Sequence, residues 1–180
     1  MDHPHMIALG DSITYGYPFG HRYSWVELVS QKLGFPIINS GVNGDTFRDM
    51  GNRLPFDILD QTPDYVILMG GANDVYQGSP TELIEERLEA ILINLADHKI
   101  QPILGLPTPI NETGLEKKLH KLRTFMKSLA KKKKWPIIDF HSSFIDSKKK
   151  KPKLHLLEDG VHPSVEGYQV MAEVALKSLQ

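Results

Sequence analysis

Tyr65-Val66-Ile67-Leu68-Met69-Gly70-Gly71-Ala72-Asn73-Asp74 is the stretch of sequence that decides the fold. Its first five residues are all apolar, with no polar residue at alternate positions. This pattern indicates a strand that is covered on both of its faces. Two glycines and a polar pair follow directly, and this change of composition ends the strand. A strand of this kind is typical of a parallel sheet that lies between two layers of helices.

Similar short apolar runs recur along the chain and alternate with longer amphipathic stretches. The predicted strands are 6–9, 35–39, 65–69, 101–105 and 136–139. The predicted helices are 25–33, 48–59, 81–98, 115–132 and 164–179, and Pro55 is expected to break the second of them. Strands separated by helices imply parallel pairing with right-handed crossovers. We therefore predict a flavodoxin-like three-layer α/β/α sandwich with about five parallel strands, in a single domain over residues 1–180.

The composition narrows the possible partners. The net charge is −1, from 21 Lys+Arg and 22 Asp+Glu, so no overall field favours nucleic acid or an anionic membrane. The absence of cysteine excludes thiolate catalysis, disulfides and cysteine-based zinc sites. The first residues show no secretory signal and no apolar run could span a bilayer, so we expect no stable membrane insertion and a cytoplasmic location. The lysine runs 131–134 and 148–151 are predicted to be solvated surface, with a local patch for anionic substrates or lipid headgroups as the alternative.

Candidate site residues follow three of the predicted strands at the points where the strands end. Ser12 lies just past the first strand, Gly44 past the second and Asn73 past the third. The carboxyl ends of parallel strands meet at one edge of the sheet, where ligands bind in folds of this type. The segment Asp159-Gly160-Val161-His162-Pro163 lies between the last strand and the final helix, so it can reach the same edge.

Ser12, His162 and Asp159 together suit a hydrolytic reaction. A serine hydroxyl is a weak nucleophile at neutral pH and needs an adjacent base. His162 can accept its proton and later return it to the leaving alcohol, while Asp159 can orient the imidazole and stabilise its charged form. Because Asp159 and His162 are three residues apart, one tight loop can hold both.

Each of these residues also has a purely structural interpretation. Ser12 could cap the helix after the first strand, Gly44 could be an ordinary turn glycine, and Asn73 could cap or form a turn. Asp159 could likewise form a turn, and His162 could be a buried structural histidine. The catalytic interpretation is favoured because these positions occur in order and each stands where the α/β pattern requires it.

Four ordered blocks carry a resemblance to a known family. They are Gly10-Asp11-Ser12-Ile13, the block around Gly44, Gly71-Ala72-Asn73-Asp74 and Asp159-Gly160-Val161-His162-Pro163. Together they resemble the SGNH hydrolases, also called the GDSL esterase/lipase family, and they run from end to end of the chain. The resemblance implies the SGNH hydrolase fold. It also implies an oxyanion hole formed by the backbone N–H groups of Ser12 and Gly44 and the side-chain amide of Asn73.

The resemblance implies a serine esterase that acts through an acyl-enzyme and needs neither cofactor nor metal. The expected substrate is a small carboxylic ester with a short or medium acyl chain. Members of the family also cleave thioesters, lysophospholipids and acetylated sugars, so the leaving group stays open. Two rivals belong to other classes: a carbohydrate- or lipid-binding module on the same fold, and a flavodoxin-like phosphate binder. Residues 10–14 lack the glycine-rich phosphate fingerprint and its lysine, which argues against the second rival.

Further residues within and beside these blocks are expected to support the site. Asp11 and Asp74 are expected to hold their loops by hydrogen bonds to the backbone. The loop 106–110 is a candidate wall of the pocket. An aromatic cluster follows Ser12, and it either lines a pocket or packs in the core, where Trp25 is expected. Its members are Tyr15, Tyr17, Phe19, Tyr23 and Trp25.

Overall fold

Five parallel strands form one sheet in the computed structural model, which describes residues 3–179. The strands are β1 (Met6–Gly10), β2 (Ile37–Gly41), β3 (Tyr65–Met69), β4 (Gln101–Leu106) and β5 (Ile137–Asp139). Their order across the sheet is β2-β1-β3-β4-β5, and every neighbouring pair is parallel. Residues 1–2 and 180, the ends of the predicted domain, lie outside the described residues, and the single domain stays a prediction.

Helices cover both faces of the sheet. Within residues 3–179 the α-helices are α1 (Ser12–Tyr15), α2 (Trp25–Leu33), α3 (Phe47–Asp57), α4 (Ala72–Tyr76), α5 (Thr81–Asp97), α6 (Thr113–Lys133), α7 (Phe140–Ser143) and α8 (Val165–Leu179). Short 3₁₀ turns lie at His21–Tyr23, Leu59–Gln61 and Leu154–Leu156. The predicted three-layer α/β fold is confirmed.

Alternate residues of β1, β3 and β4 supply two separate cores. Ile7 and Leu9 of β1 belong to the core that is covered by α3, α5 and α6. Met6 and Ala8 point to the opposite face, where α2 and α8 cover them. Since all four side chains are buried, the strand is apolar without alternation, which is the pattern of a sheet that is covered on both sides.

Strand β2 lies two residues further along the chain than predicted. Helix α2 ends at Leu33 and is capped by Gly34, whose φ of 77° suits glycine. The N–H of Ile37 then donates to the Ser30 hydroxyl at 2.9 Å. Pairing with β1 then carries the strand to Gly41. The apolar residues 35–36 precede the strand, because its bounds are set by the neighbouring strand and not by local hydrophobicity.

The prediction that Pro55 breaks its helix is wrong. Helix α3 continues to Asp57, and the N–H of Ile58 still donates to the carbonyl of Leu54 at 3.1 Å. Pro55 lies in the last turn, where its missing N–H removes a single bond to the carbonyl of Gly51. A capping box stabilises the other end of the helix, so the helix tolerates the loss of this one hydrogen bond.

None of the helices within residues 3–179 combines the length and the apolar character needed to cross a membrane.

Candidate active site

Ser12 is the first residue of α1, and the residue that caps this helix is Asp11. The Asp11 carboxylate accepts a hydrogen bond from the N–H of Ile13 at 2.9 Å. Gly10 leaves no room for a side chain, since a Cβ there would collide with Thr14 and with a carbonyl of β3. This tight strand-to-helix turn places the Ser12 hydroxyl at the carboxyl edge of the sheet.

Asp159 and His162 lie in a loop that is closed on itself by a bridge between Leu157 and Pro163. One carboxylate oxygen of Asp159 accepts the N–H groups of Val161 and His162 at 3.0 and 2.8 Å. The other lies 2.7 Å from Nδ1 of the His162 ring. Burial alone would raise the pKa of Asp159, but these hydrogen bonds and the imidazole outweigh it and hold the pKa below its ordinary value.

The loop brings the imidazole to the serine. Nε2 of His162 lies 3.0 Å from the Ser12 hydroxyl. With the Nδ1 proton directed to Asp159, Nε2 is the ring nitrogen that can accept a hydrogen bond from the hydroxyl. The Tyr17 ring packs on the imidazole with the ring centroids 4.6 Å apart, and the Tyr168 hydroxyl donates to the carbonyl of Tyr17 at 2.7 Å. The three residues that the sequence singled out are therefore in contact.

Two of the three predicted oxyanion donors, Ser12 and Asn73, line one cavity. The amide of Asn73 donates to the carbonyl of Asp45 at 2.9 Å. The second amide N–H of Asn73 has no acceptor among residues 3–179. Gly44 lies in the turn after β2 with a φ of 86°, which requires glycine, and a Cβ there would meet no atom within 4 Å. Gly44 is outside the lining of the cavity, and Asp45 joins its turn to Asn73.

Asp74 ties α4 to the start of α3. Its buried carboxylate accepts the N–H of Phe47 at 3.0 Å, and Arg87 lies 3.9 Å from its other oxygen. Burial raises the pKa of Asp74, and the hydrogen bond and the guanidinium offset this only in part. Asp11 and Asp74 both hold their loops through backbone hydrogen bonds, as predicted.

The buried Asp11 carboxyl makes the stability of the protein depend on pH. Burial raises its pKa to about 7, and the Asp45 and Asp74 carboxylates act in the same direction. In the unfolded chain the pKa is about 4. Since the folded state binds this proton more tightly, stability falls as pH rises from about 4 to about 7. Asp11→Asn keeps an oxygen for the N–H of Ile13, and it should flatten this slope in urea unfolding at several pH values.

An exposed carboxylate serves as the control for this slope. Asp146 accepts the N–H groups of Lys148 and Lys149 in a surface turn. Asp146→Asn should leave the decline of stability between about pH 4 and 7 in place. If Asp11→Asn and the wild type show equal slopes, Asp11 is not the carboxyl that holds the proton.

A cavity of about 340 Å³ opens beside Ser12. Ile110, from the loop after β4, forms part of its wall, so this loop borders the site. Val161 and Tyr76 also line the cavity, and Tyr76 is 69 % exposed at its rim. The sequence reasoning missed both residues. Their positions could have indicated their location. Tyr76 is three residues after Asn73 and so lies on the same face of the helix, and Val161 directly precedes His162.

The aromatic cluster after Ser12 does not line this cavity within the described part of the chain. Trp25 is fully buried in the core, where it packs against Phe140 with ring centroids 5.1 Å apart. Tyr17 covers the imidazole instead, and Tyr15 packs edge-on against His21. The core interpretation therefore holds for Trp25, and the cluster as a whole is not a pocket wall.

A larger cavity, of about 740 Å³, lies at the opposite edge of the sheet beside Tyr65 and Gln101. These residues begin β3 and β4, and ligands of such sheets bind at the other ends of the strands. Its lining holds no serine, so we assign the chemistry to the smaller cavity. No group of three or more His, Asp or Glu side chains within residues 3–179 is arranged to hold a metal ion.

Comparisons with known proteins identify relatives of this chain. The model of the GDSL-like lipase/acylhydrolase family matches residues 8–170. The acetylxylan esterase of Geobacillus stearothermophilus is 28 % identical over 167 residues, which cover 86 % of this chain and 76 % of that protein. Thioesterase 1/protease 1/lysophospholipase L1 of Escherichia coli K12 is 26 % identical over 180 residues, with coverages of 97 % and 83 %. A structure from Desulfitobacterium hafniense DCB-2, assigned to the G-D-S-L lipolytic family, superposes with a TM-score of 0.89 at 30 % identity and covers 98 % of this chain and 99 % of its own.

The fold and these relatives define a class of protein, the ester-hydrolysing enzymes built on a parallel α/β sheet. The chain belongs to the GDSL-like lipase/acylhydrolase family, whose model spans most of its length. The predicted family and the predicted class of enzyme are confirmed. The relatives carry different activities in their names, so they do not select one substrate.

Proposed function

We propose that the protein is a serine esterase that hydrolyses carboxylic esters of short or medium acyl chain through an acyl-enzyme. Ser12 is the nucleophile, His162 is the base and then the acid, and Asp159 orients the imidazole. The observation that carries the proposal is the continuous path from the carboxylate through the ring to the hydroxyl, with steps of 2.7 and 3.0 Å.

Acylation follows from this geometry. The Ser12 oxygen attacks the ester carbonyl carbon while Nε2 of His162 takes the hydroxyl proton. The negative charge that forms on the carbonyl oxygen is stabilised by the N–H groups of Ser12 and Gly44 and by the free N–H of Asn73. The tetrahedral intermediate then expels the alcohol, which receives the proton from His162, and the acyl group stays on Ser12.

Deacylation repeats the same steps with water. His162 takes a proton from a water molecule, and the resulting hydroxide oxygen attacks the acyl carbon. Collapse of the second tetrahedral intermediate breaks the bond to Ser12 and returns the proton to its oxygen. The acid leaves and the free enzyme is restored, so the residues of this chain complete the cycle without a cofactor.

The size of the cavity supports a small acyl group. Its volume of about 340 Å³ is at the lower end of the range for small-molecule sites. Ile110 and Val161 give part of the wall an apolar character that suits a hydrocarbon chain. We expect p-nitrophenyl acetate and butyrate to be better substrates than the palmitate ester.

The direct test is hydrolysis of a panel of p-nitrophenyl esters, followed by labelling with a serine-directed phosphonate. We expect turnover of the short esters and a mass increase on the peptide that contains Ser12. A wild-type protein that is inert to the panel and unlabelled by the phosphonate would exclude the serine esterase.

Asn73→Ala should lower kcat about 10²- to 10³-fold with little change in KM, because it removes a donor that acts on the oxyanion. The measurement is steady-state hydrolysis of p-nitrophenyl acetate. Asn52→Ala, an exposed position on α3, is the matched control and should keep wild-type rates. A loss below about tenfold in Asn73→Ala would remove this side chain from the oxyanion hole.

An acetylated sugar is the second candidate substrate, and the position of Tyr76 favours it. The ring of Tyr76 is exposed at the rim of the cavity, where an aromatic face can stack on a sugar ring. A relative named as an acetylxylan esterase supports the same choice. Acetylated xylose, acetyl-CoA and a lysophospholipid assayed beside p-nitrophenyl acetate will separate the candidates, and Tyr76→Ala should impair the sugar ester selectively.

A further inference from the structure

Arg53 of α3 is surrounded by acceptors, and only 17 % of its side chain is exposed. Nε donates to the Asp45 carboxylate at 2.7 Å. Nη1 donates to the Ser40 hydroxyl at 2.6 Å and to the Asp57 carboxylate at 2.7 Å. Nη2 donates to the backbone carbonyls of Gly10 at 3.1 Å and Ser40 at 2.9 Å. These five contacts use the full donor capacity of a guanidinium.

The partners of Arg53 lie next to the proposed oxyanion donors. Gly10 is two residues before Ser12, and Asp45 directly follows Gly44. The backbone carbonyl of Asp45 also accepts the amide of Asn73 at 2.9 Å. Arg53 therefore contacts the segments next to Ser12 and Gly44 directly and reaches the amide of Asn73 through Asp45.

We infer that Arg53 is the positioning residue of the oxyanion hole. It fixes the end of β1 relative to the turn after β2 and, through Asp45, it fixes the amide of Asn73. The inference rests on the proposed esterase function and adds a residue that neither the triad nor the hole itself includes. Arg53 touches none of the reacting atoms, so it acts by holding donors at the distances that the transition state requires.

A lysine could not replace this arrangement. Its ammonium is a single point with three donors, whereas the planar guanidinium distributes five donors over four residues. Burial raises the pKa of Asp45, and Arg53 offsets part of this rise, so loss of the pair would also leave a poorly compensated carboxylate. We therefore expect Arg53→Lys to loosen the turn at Gly44 even where the overall fold persists.

The first measurement is the steady-state kinetics of Arg53→Lys with p-nitrophenyl acetate. We expect kcat to fall about 10- to 100-fold, as for other supporting residues of catalytic groups, with KM within about threefold of wild type. Arg48→Lys, at an exposed position of the same helix, is the matched control and should keep wild-type rates. Wild-type kcat in a folded Arg53→Lys would overturn the inference.

A double-mutant cycle separates positioning from general loss of stability. If Arg53 acts through the oxyanion donors, Arg53→Lys should reduce kcat much less in an Asn73→Ala background than in wild type. A purely structural loss would multiply with the loss in Asn73→Ala. Independent, multiplicative effects in the cycle would overturn the positioning role.

A second variant covers the case in which Arg53→Lys does not fold. Asp45→Asn keeps the backbone carbonyl that binds Asn73 but weakens one arm of the guanidinium contact. We expect a smaller fall in kcat with the same non-additivity toward Asn73→Ala, and multiplicative effects would again overturn the inference. If the Arg53 and Asp45 variants hydrolyse esters at the wild-type rate, this inference is rejected and the proposed function stands. If the wild-type protein hydrolyses no ester, both are rejected.

Discussion

Ser12→Ala should lower kcat/KM for p-nitrophenyl acetate by at least about 10⁴-fold while the protein stays folded. In the proposed mechanism the hydroxyl oxygen forms the acyl-enzyme, and no other serine lines the cavity within residues 3–179. The substitution removes one oxygen whose side-chain partner is the imidazole of His162, so the packing of α1 is kept. The activity that remains reflects the binding and the oxyanion donors alone.

The measurement combines initial rates with mass spectrometry after phosphonate treatment. Ser178→Ala is the matched control, because this exposed hydroxyl bonds only to its own helix at the carbonyl of Val174. It should keep both the wild-type rate and the label. A Ser12→Ala protein that still hydrolyses the ester at a substantial rate would show that another group is the nucleophile.

His162→Ala should cause a loss as large as that of Ser12→Ala, because both residues act in a single proton transfer. Asp159→Asn should retain about 10- to 100-fold more activity than His162→Ala. The asparagine can still accept the backbone N–H groups of the loop, so the imidazole stays in place. It cannot offer a second carboxylate oxygen to Nδ1, so the favoured tautomer and the charge compensation are lost.

The comparison needs rates at several pH values and a histidine control. Because its hydrogen bonds hold the pKa of Asp159 below its ordinary value, the carboxylate is ionised throughout a neutral assay range. His155→Ala removes an exposed imidazole that lies close in sequence, and it should leave the rate unchanged. An equal or greater loss in Asp159→Asn than in His162→Ala would mean that the carboxylate does more than orient the base.

The parts of the fold that follow from local patterns were predictable from the sequence. The apolar run 65–69 has the same bounds as β3, since residues 66–69 are buried on both faces of the sheet. The proximity of Asp159 and His162 was equally predictable, because residues only three positions apart lie on one short loop. Their contact with Ser12 depended on topology, which the order of strands and helices supplied.

Features that depend on distant partners were not predictable in this way. The bounds of β2 come from pairing with β1, and the persistence of α3 through Pro55 depends on where its last turn ends. Arg53 carries no motif of its own, since its partners are spread over β1, β2 and the turn that follows. A side chain that reaches several segments becomes recognisable only when the fold has brought those segments together.

The hydrogen bond between Ser12 and His162 joins residues 150 positions apart in the chain. The proposed nucleophile is therefore synthesised 150 residues before the proposed base, and the site cannot assemble until both are present. Closing so long a loop is entropically costly, and it can be compensated only after the intervening strands and helices have assembled. Under the proposed mechanism, a chain that has been synthesised only as far as the last strand, at Asp139, still lacks His162 and is expected to hydrolyse no ester.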